Sequence, residues 1–306
     1  MKPSELLRKQ FGFSPSELKH YVASCPRRYK TYYIDKRGGR GKREISQPSK
    51  DLKAIQRFLI SELLNKTLFV HDSAKAYKIN TSILDNARPH LANRFLLKMD
   101  FTDFFPSILA SDFQDYLVRK AVLNDEDEIR MLCNIFFKKH NDRLCLSIGS
   151  PGSPLISNAI MYDFDNSLSK LCGKEGITYT RYSDDITFST NTKDQLFAWP
   201  NVVRTLLSEI NYPKLTINKD KTVFSSKRFN RHVTGVTISN DGKASIGRDR
   251  KRALRTQIYN AKSLNRKDLA KLRGHIAFAF HIEPDLKSKL SKKYPAQLEH
   301  IFLGSE

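Results

Sequence analysis

The sequence predicts an α+β fold in which a small antiparallel sheet carries a cluster of carboxylates and helices surround it. Residues 178–189 alternate β-branched and aromatic side chains on both sides of Tyr182-Ser183-Asp184-Asp185, the pattern of two strands joined by a tight turn. Residues 95–101 form an apolar run in which a third carboxylate, Asp100, stands at the end of a buried strand. Elsewhere apolar residues recur at helical spacing, so helices cover the sheet.

Size and charge bound the possibilities. The 306 residues suffice for a sizeable core and two or three lobes, and a hydrophobic content of 40% argues for a folded chain. Lys and Arg number 53 against 32 Asp and Glu, a formal net charge of +21. Such an excess points to a polyanionic partner. No apolar run approaches about 20 residues, so a membrane span is not expected. Residues 1–5 show no signal-peptide pattern. Cys25, Cys133, Cys145 and Cys172 are scattered, with no Cys-x-x-Cys pair. Neither a zinc site nor a disulfide framework is expected, and a reducing cytoplasm fits.

The elements follow in order. Ser14-Pro15-Ser16-Glu17 starts a helix with a Ser cap, Pro in the first turn and a reciprocal Glu. Residues 29–34 read as a strand, residues 36–43 as a glycine-rich basic turn, and residues 44–46 as its returning strand. Leu52, Ile55, Phe58, Leu59 and Leu63 place an amphipathic helix over 49–65. Lys53 and Arg57 fall off its apolar stripe, where a solvated face and template contact explain them equally. Helices are expected at 112–120 and 125–138. Gly149, Gly152 and two prolines precede an apolar helix at 155–168, and glycine there permits close approach of a base pair or template strand. Residues 191–210 include a helical stretch around Trp199, which reads as core. Residues 248–255 open a basic helix, followed by helices at 268–281 and 285–302.

Adjacent carboxylates repel one another unless cations neutralise them. Mg²⁺ does so, binding one or two carboxylates together with substrate phosphates. Two carboxylates from separate strands can bridge two metal ions roughly 3.5–4 Å apart. Asp100 or Asp103 alone would read as a helix cap. Together with Tyr182-Ser183-Asp184-Asp185 they form a constellation that fits metal-assisted nucleotidyl transfer.

These motifs resemble those of reverse transcriptases. The strand ending in Asp100 is similar to motif A, Tyr182–Asp185 to the YxDD box, Gly149–Asn158 to motif B and Leu215–Thr222 to motif D. Asn86-Ala87-Arg88-Pro89-His90 resembles the NAxxH box and Val233-Thr234-Gly235 the VTG box, both marks of bacterial retron enzymes. The resemblance covers roughly residues 40–240.

The resemblance implies a right-hand polymerase: fingers over 1–94, an antiparallel palm over 95–235 and a short helical thumb over 236–306. It implies RNA-directed DNA synthesis with two Mg²⁺ ions. Asp100 and Asp184 would hold the ions, Asp185 would support them, and the backbone at Phe101 would complete the site. Lys221 would act as general acid on the leaving pyrophosphate. Arg43 on a fingers flap, Asp103, Phe104, Phe105 and Gly149 would meet the incoming deoxynucleotide (dNTP), with Phe105 blocking a ribose 2′-OH. Many relatives carry Gln where this chain has Ile148, so that amide contact is missing. Asn86, Val233, Thr234 and Gly235 would bind RNA, and His90 is either RNA-contacting or structural. Arg248, Arg250, Lys251, Arg252 and Arg255 would grip the duplex backbone.

Retron enzymes copy part of a cognate structured non-coding RNA, primed from a guanosine 2′-OH, and leave branched msDNA. The implied partners are that RNA, the msDNA, dNTPs, an effector protein encoded nearby in an anti-phage system, and a host ribonuclease H. Residues 236–306 are too few for a thumb and a fused ribonuclease H domain. Two alternatives stand beside this reading. A group II intron or diversity-generating enzyme is disfavoured by the NAxxH and VTG boxes and the missing maturase extension. A catalytically silent RNA scaffold is disfavoured by the intact Asp100, Asp184 and Asp185.

Overall fold

The computed structural model describes residues 2–36, 39, 41–210 and 212–303. Part of the basic turn expected at 36–43, namely Arg37, Gly38 and Arg40, lies outside the described residues. On either side of it, β1 (Tyr29–Asp35) and β2 (Lys42–Pro48) form an antiparallel ribbon with Ile34 opposite Arg43. Most of β1 and the outer end of β2 are exposed, so the ribbon projects from the body.

The central sheet is built on β3 (Phe95–Thr102), whose Leu96, Leu97, Met99 and Phe101 are buried. A small separate hairpin follows, β4 (Lys138–His140) with β5 (Arg143–Cys145). β6 (Thr178–Tyr182) and β7 (Asp185–Thr190) form the hairpin expected from their alternating pattern, and β7 pairs with β3. On the other edge of β3 lie β8 (Thr216–Ile217) and β9 (Val223–Ser226). All strand pairings in this five-stranded sheet are antiparallel.

A fourth sheet comprises β10 (Arg231–Val233), β11 (Val236–Ile238) and β12 (Ala244–Ser245). Thr234 and Gly235 form the two-residue turn between β10 and β11, at φ 46° and 84°. Positive φ at both turn positions matches the twist of a two-residue hairpin, and glycine accepts it without strain.

Helix signals were mostly legible. In Pro15–Ser24 the Ser14 hydroxyl accepts from the Glu17 amide and the Glu17 carboxylate accepts from the Ser14 amide, the reciprocal cap that the sequence implies. The helix expected at 49–65 is α-helical over Lys50–Leu59 and widens to a π turn over Ile60–Leu64. The helix expected at 155–168 is two, Ser153–Ile160 and Tyr162–Lys174. The segment at 285–302 is also two, because Pro295 lacks the amide that would continue the first and opens the second. The helix expected to reach residue 138 stops at Phe136, and β4 takes over. A helix over Pro3–Phe11 was not anticipated.

Two apolar clusters result. The larger joins the N-terminal helices to the helical side of the central sheet and includes Trp199, which is 2% exposed and packs against Phe188. The smaller holds the C-terminal helices and β10–β12, and it also takes in Leu84, Ala87 and Leu96. The segment around residues 83–91 therefore packs with the C-terminal unit, far from its place in the chain.

Candidate active site

Strand register brings the three carboxylates to one end of the central sheet. Asp100 on β3 lies opposite Asp185 on β7. Ser183 and Asp184 form the two-residue turn between β6 and β7, with Ser183 at φ 61°. The Phe101 amide donates to the Asp184 carbonyl at 3.1 Å, and the Asn218 amide donates to the Asp100 carbonyl at 2.8 Å. The tips of β3, the β6–β7 turn and the β8 end are thereby tied together by backbone.

The cluster is electrostatically tense. Burial, and then the charge of Asp100, push the Asp184 carboxyl above its ordinary range. Burial, and then the charges of Asp184 and Asp100, push Asp185 to about 7. Asp185 is nevertheless exposed to water at the sheet end. A cation already answers this charge. Lys221 Nζ donates to both oxygens of Asp100 at 2.8 and 2.9 Å, from the short 3₁₀ turn Lys219–Lys221. Among the described residues no three Asp, Glu, His or Cys side chains stand as a closed ligand set. The donors gathered at the sheet end are carboxylate oxygens, the chemistry that hard divalent cations select.

A cavity of about 350 Å³ is lined in part by Lys53, Arg57, Tyr77, Phe105, Ile148 and Gly149, and its Tyr77 hydroxyl reaches Ser183 in the turn that carries Asp184. Phe105 is half-buried and meets Phe104 edge-on, with ring centroids 5.3 Å apart. Asp103 is exposed at φ 43°. The side chains of Phe101 and Phe104 are buried and stacked 5.6 Å apart, so only their backbones can face a ligand. Arg43 is exposed, and its charge reaches Asp184.

The glycines serve a purpose that sequence did not reveal. A Cβ on Gly149 would come within 3.1–3.2 Å of Ser46, Gln47 and Ile45, so its close approach is to β2. A Cβ on Gly152 would stand 2.3 Å from the Phe136 ring. On the side where a Cβ would point both glycines meet protein, while Gly149 also lines the cavity.

Several RNA-contacting expectations are corrected by burial. His90 is fully buried, bonded through its two ring nitrogens to Ser189 Oγ at 2.6 Å and Thr180 Oγ1 at 2.8 Å. Burial holds its imidazole down at a pKa of about 3, so it is neutral. Of the two readings of His90, the structural one stands. Asn86 and Val233 are also fully enclosed. Direct contact with RNA is closed to all three side chains. Thr234 and Gly235 stay partly accessible. On the helix Arg248–Tyr259, Arg248, Arg250, Arg252 and Arg255 are exposed, but Lys251 turns inward to Glu283 at 2.7 Å. It is tied to a carboxylate and is not a free phosphate ligand.

One group escaped the sequence reading altogether. Arg181 and Asp165 form a fully buried ion pair directly behind the Ser183 turn. The only hint was an arginine in an otherwise alternating apolar strand.

Comparison with known proteins matches this arrangement. Residues 34–238 match the family described as reverse transcriptase (RNA-dependent DNA polymerase). The retron Ec83 reverse transcriptase of Escherichia coli is 42% identical over 272 residues, covering 87% of this chain and 86% of the relative. The retron Ec86 reverse transcriptase of Escherichia coli is 30% identical over 296 residues, covering 94% and 89%. A solved structure of telomerase from Candida albicans, in complex with a fragment of telomeric RNA, has a TM-score of 0.50 at 12% identity, covering 90% of this chain and 58% of that one. At that identity the likeness supports the fold alone, a right hand of fingers, palm and thumb. The chain belongs to the reverse transcriptases, the RNA-directed DNA polymerases, and within them to those of retrons.

Proposed function

We propose that this reverse transcriptase copies part of a cognate structured RNA into single-stranded DNA, starting from the 2′-OH of an internal guanosine and leaving branched msDNA. Host ribonuclease H would trim the copied template, and an effector protein would complete an anti-phage system. The observation that carries the catalytic part is the register pair Asp100–Asp185 with Asp184 in the adjoining turn. The retron part is supported by the relatives of similar length.

Reverse transcriptases work with divalent cations, and the donor set here fits Mg²⁺. Asp100 and Asp184 would hold two ions, with Asp185 and the Phe101 backbone in support. When bound, the ions activate the attacking hydroxyl and stabilise the leaving pyrophosphate. The residues of the chain do the rest. Arg43, on the projecting ribbon, grips the triphosphate, since its planar fork matches phosphate oxygens. The backbone at Asp103 and Phe104 seats the same group, beside Gly149. Phe105 walls off the sugar 2′ position. Lys221 holds a proton at Nζ that it donates to pyrophosphate.

The lobes are assigned as fingers 1–94, palm 95–235 and thumb 236–306, with the NAxxH segment packed against the thumb. Arg248, Arg250, Arg252 and Arg255 line one thumb helix and bind duplex phosphates independently of sequence. Thr234 and Gly235 present a turn to the cognate RNA. No described helix is long and apolar enough to cross a membrane.

The test is co-expression with the adjacent non-coding RNA gene, followed by analysis of the purified nucleic acid. The expected product is DNA joined to RNA by a 2′–5′ linkage. Replacing Asp184 and Asp185 by Asn should abolish it while RNA still copurifies. Unbranched DNA only, or full activity of the double variant, would overturn the reading.

A further inference from the structure

Ser183 occupies the left-handed region that residues with a Cβ adopt only when their surroundings over-determine it. Two hydrogen bonds hold it from different sides. Arg181 Nη1 donates to the Ser183 carbonyl at 2.9 Å. The Tyr77 hydroxyl donates to Ser183 Oγ at 3.1 Å.

Behind the turn these bonds continue into a closed network. Arg181 Nε and Nη2 donate to the two oxygens of Asp165 at 2.9 and 2.6 Å, and both residues are completely buried. Arg181 Nη1 also donates to Asn158 Oδ1 at 3.2 Å. The Tyr179 hydroxyl donates to Asp165 at 2.6 Å. Asn158 Nδ2 donates to the Ala76 carbonyl at 2.9 Å, next to Tyr77. Backbone bonds complete the ring: the Arg181 amide donates to the Ser73 carbonyl and the Lys75 amide to the Arg181 carbonyl, both at 2.8 Å.

A buried ion pair is a weak source of net stability, because desolvating both charges offsets their attraction. Well-packed apolar residues could fill the same volume. Arginine offers something they cannot, five donors in a rigid fork that serve a carboxylate, an amide and a carbonyl together. We propose that Arg181, backed by Asp165, Asn158 and Tyr77, is a positioning residue for catalysis. It fixes the strained Ser183 turn so that Asp184 and Asp185 stand beside Asp100. This inference rests on the assignment of those three carboxylates given above.

Arg181→Lys tests it, because lysine keeps a cation against Asp165 but cannot also hold Asn158 and the Ser183 carbonyl. The variant should fold and bind RNA like the parent. Its kcat should fall about 10- to 100-fold, the cost of small misplacement of reacting groups, with little change in KM for dNTP. Without nucleotide, the Mg²⁺ concentration that half-saturates the thermal upshift should rise several-fold. Tyr77→Phe removes one bond and should shift both quantities the same way, less far. Parental kcat and Mg²⁺ response in Arg181→Lys would overturn the proposal, as would a kcat loss that merely tracks the folded fraction. If Arg181→Lys does not fold, Tyr77→Phe and Asn158→Ala decide, and parental values in both sink it. Asp184→Asn separates the two levels. An active Asp184→Asn removes the carboxylate assignment, whereas an inactive one beside a normal Arg181→Lys removes only the positioning role.

Discussion

The Asn86 side-chain amide donates to the Thr234 hydroxyl at 3.3 Å, across 148 residues of chain. Thr234 Oγ1 in turn donates to the Ile83 carbonyl at 3.3 Å. The two short boxes that mark retron enzymes are therefore one clasp, closing the segment near residue 86 onto the β10–β11 turn. Arg250 extends it, donating to the Gly235 carbonyl at 2.9 Å.

Breaking that clasp should cost stability as well as RNA choice. Asn86 Oδ1 is buried without a partner, so removing Thr234 Oγ1 strips the side chain of its remaining bond. Thr234→Ala should destabilise by about 1–3 kcal/mol in urea unfolding, the penalty of an unsatisfied buried group. At a temperature where it stays folded, priming on the cognate RNA should fall more than extension of an annealed primer. Equal losses of the two activities would refute the link to RNA choice.

His90 makes the fold acid-sensitive in a defined window. Its pKa is about 3 when folded and 6.5 in the free side chain. Between those values the unfolded chain takes up a proton that the folded chain refuses, so stability falls as pH drops below about 6.5. At pH 5 the loss from this residue is about 2 kcal/mol. His90→Gln should be less stable at pH 8, since Ser189 and Thr180 lose a partner, yet show a flatter pH dependence between 5 and 6.5. Parallel stability curves for parent and variant would refute it.

Lys221 stands where a cation belongs, so it should compete with metal in the resting enzyme. Lys221→Met should bind Mg²⁺ more tightly in a nucleotide-free thermal-shift titration. Its kcat should nevertheless fall, by the 10²–10⁴-fold typical of a lost general acid. Weaker Mg²⁺ binding in the variant would show that the ammonium helps build the metal site.

Phe105→Val should widen the wall of the cavity beside Ile148 and Gly149. The ratio of ribo- to deoxynucleotide incorporation on one primer-template should rise by at least tenfold, on the order of 1–2 kcal/mol of lost discrimination. An unchanged ratio in a folded variant would leave Phe105 a packing residue beside Phe104.

The parts legible in the sequence were those written in local pattern. Period-two alternation located the β6–β7 hairpin, and the apolar run located β3 with Asp100 near its end. The Ser14 cap and the helix amphipathicity were equally direct. What stayed hidden depends on partners distant in the chain. Nothing near Gly152 announces the Phe136 ring, and nothing near His90 announces Ser189. Arg181 reads like any polar residue in a strand, because alternation does not say which face is lined with Asp165. The β4–β5 hairpin was too short, and its exposed positions too charged, to stand out from the end of a helix.

The smaller apolar cluster has a consequence for biosynthesis. Leu84 and Ala87 leave the ribosome early, but most of their packing partners lie between Val233 and Ile301. At 5–20 residues per second, the 148 residues between Asn86 and Thr234 take roughly 7–30 s to translate. For that interval Leu84 and Ala87 stay uncovered and Asn86 lacks Thr234, so the nascent chain is a natural client for a holding chaperone. Fragments ending before residue 233 would leave Leu84 and Ala87 bare permanently, so aggregation of such fragments would report a missing partner and not a fault in the catalytic sheet.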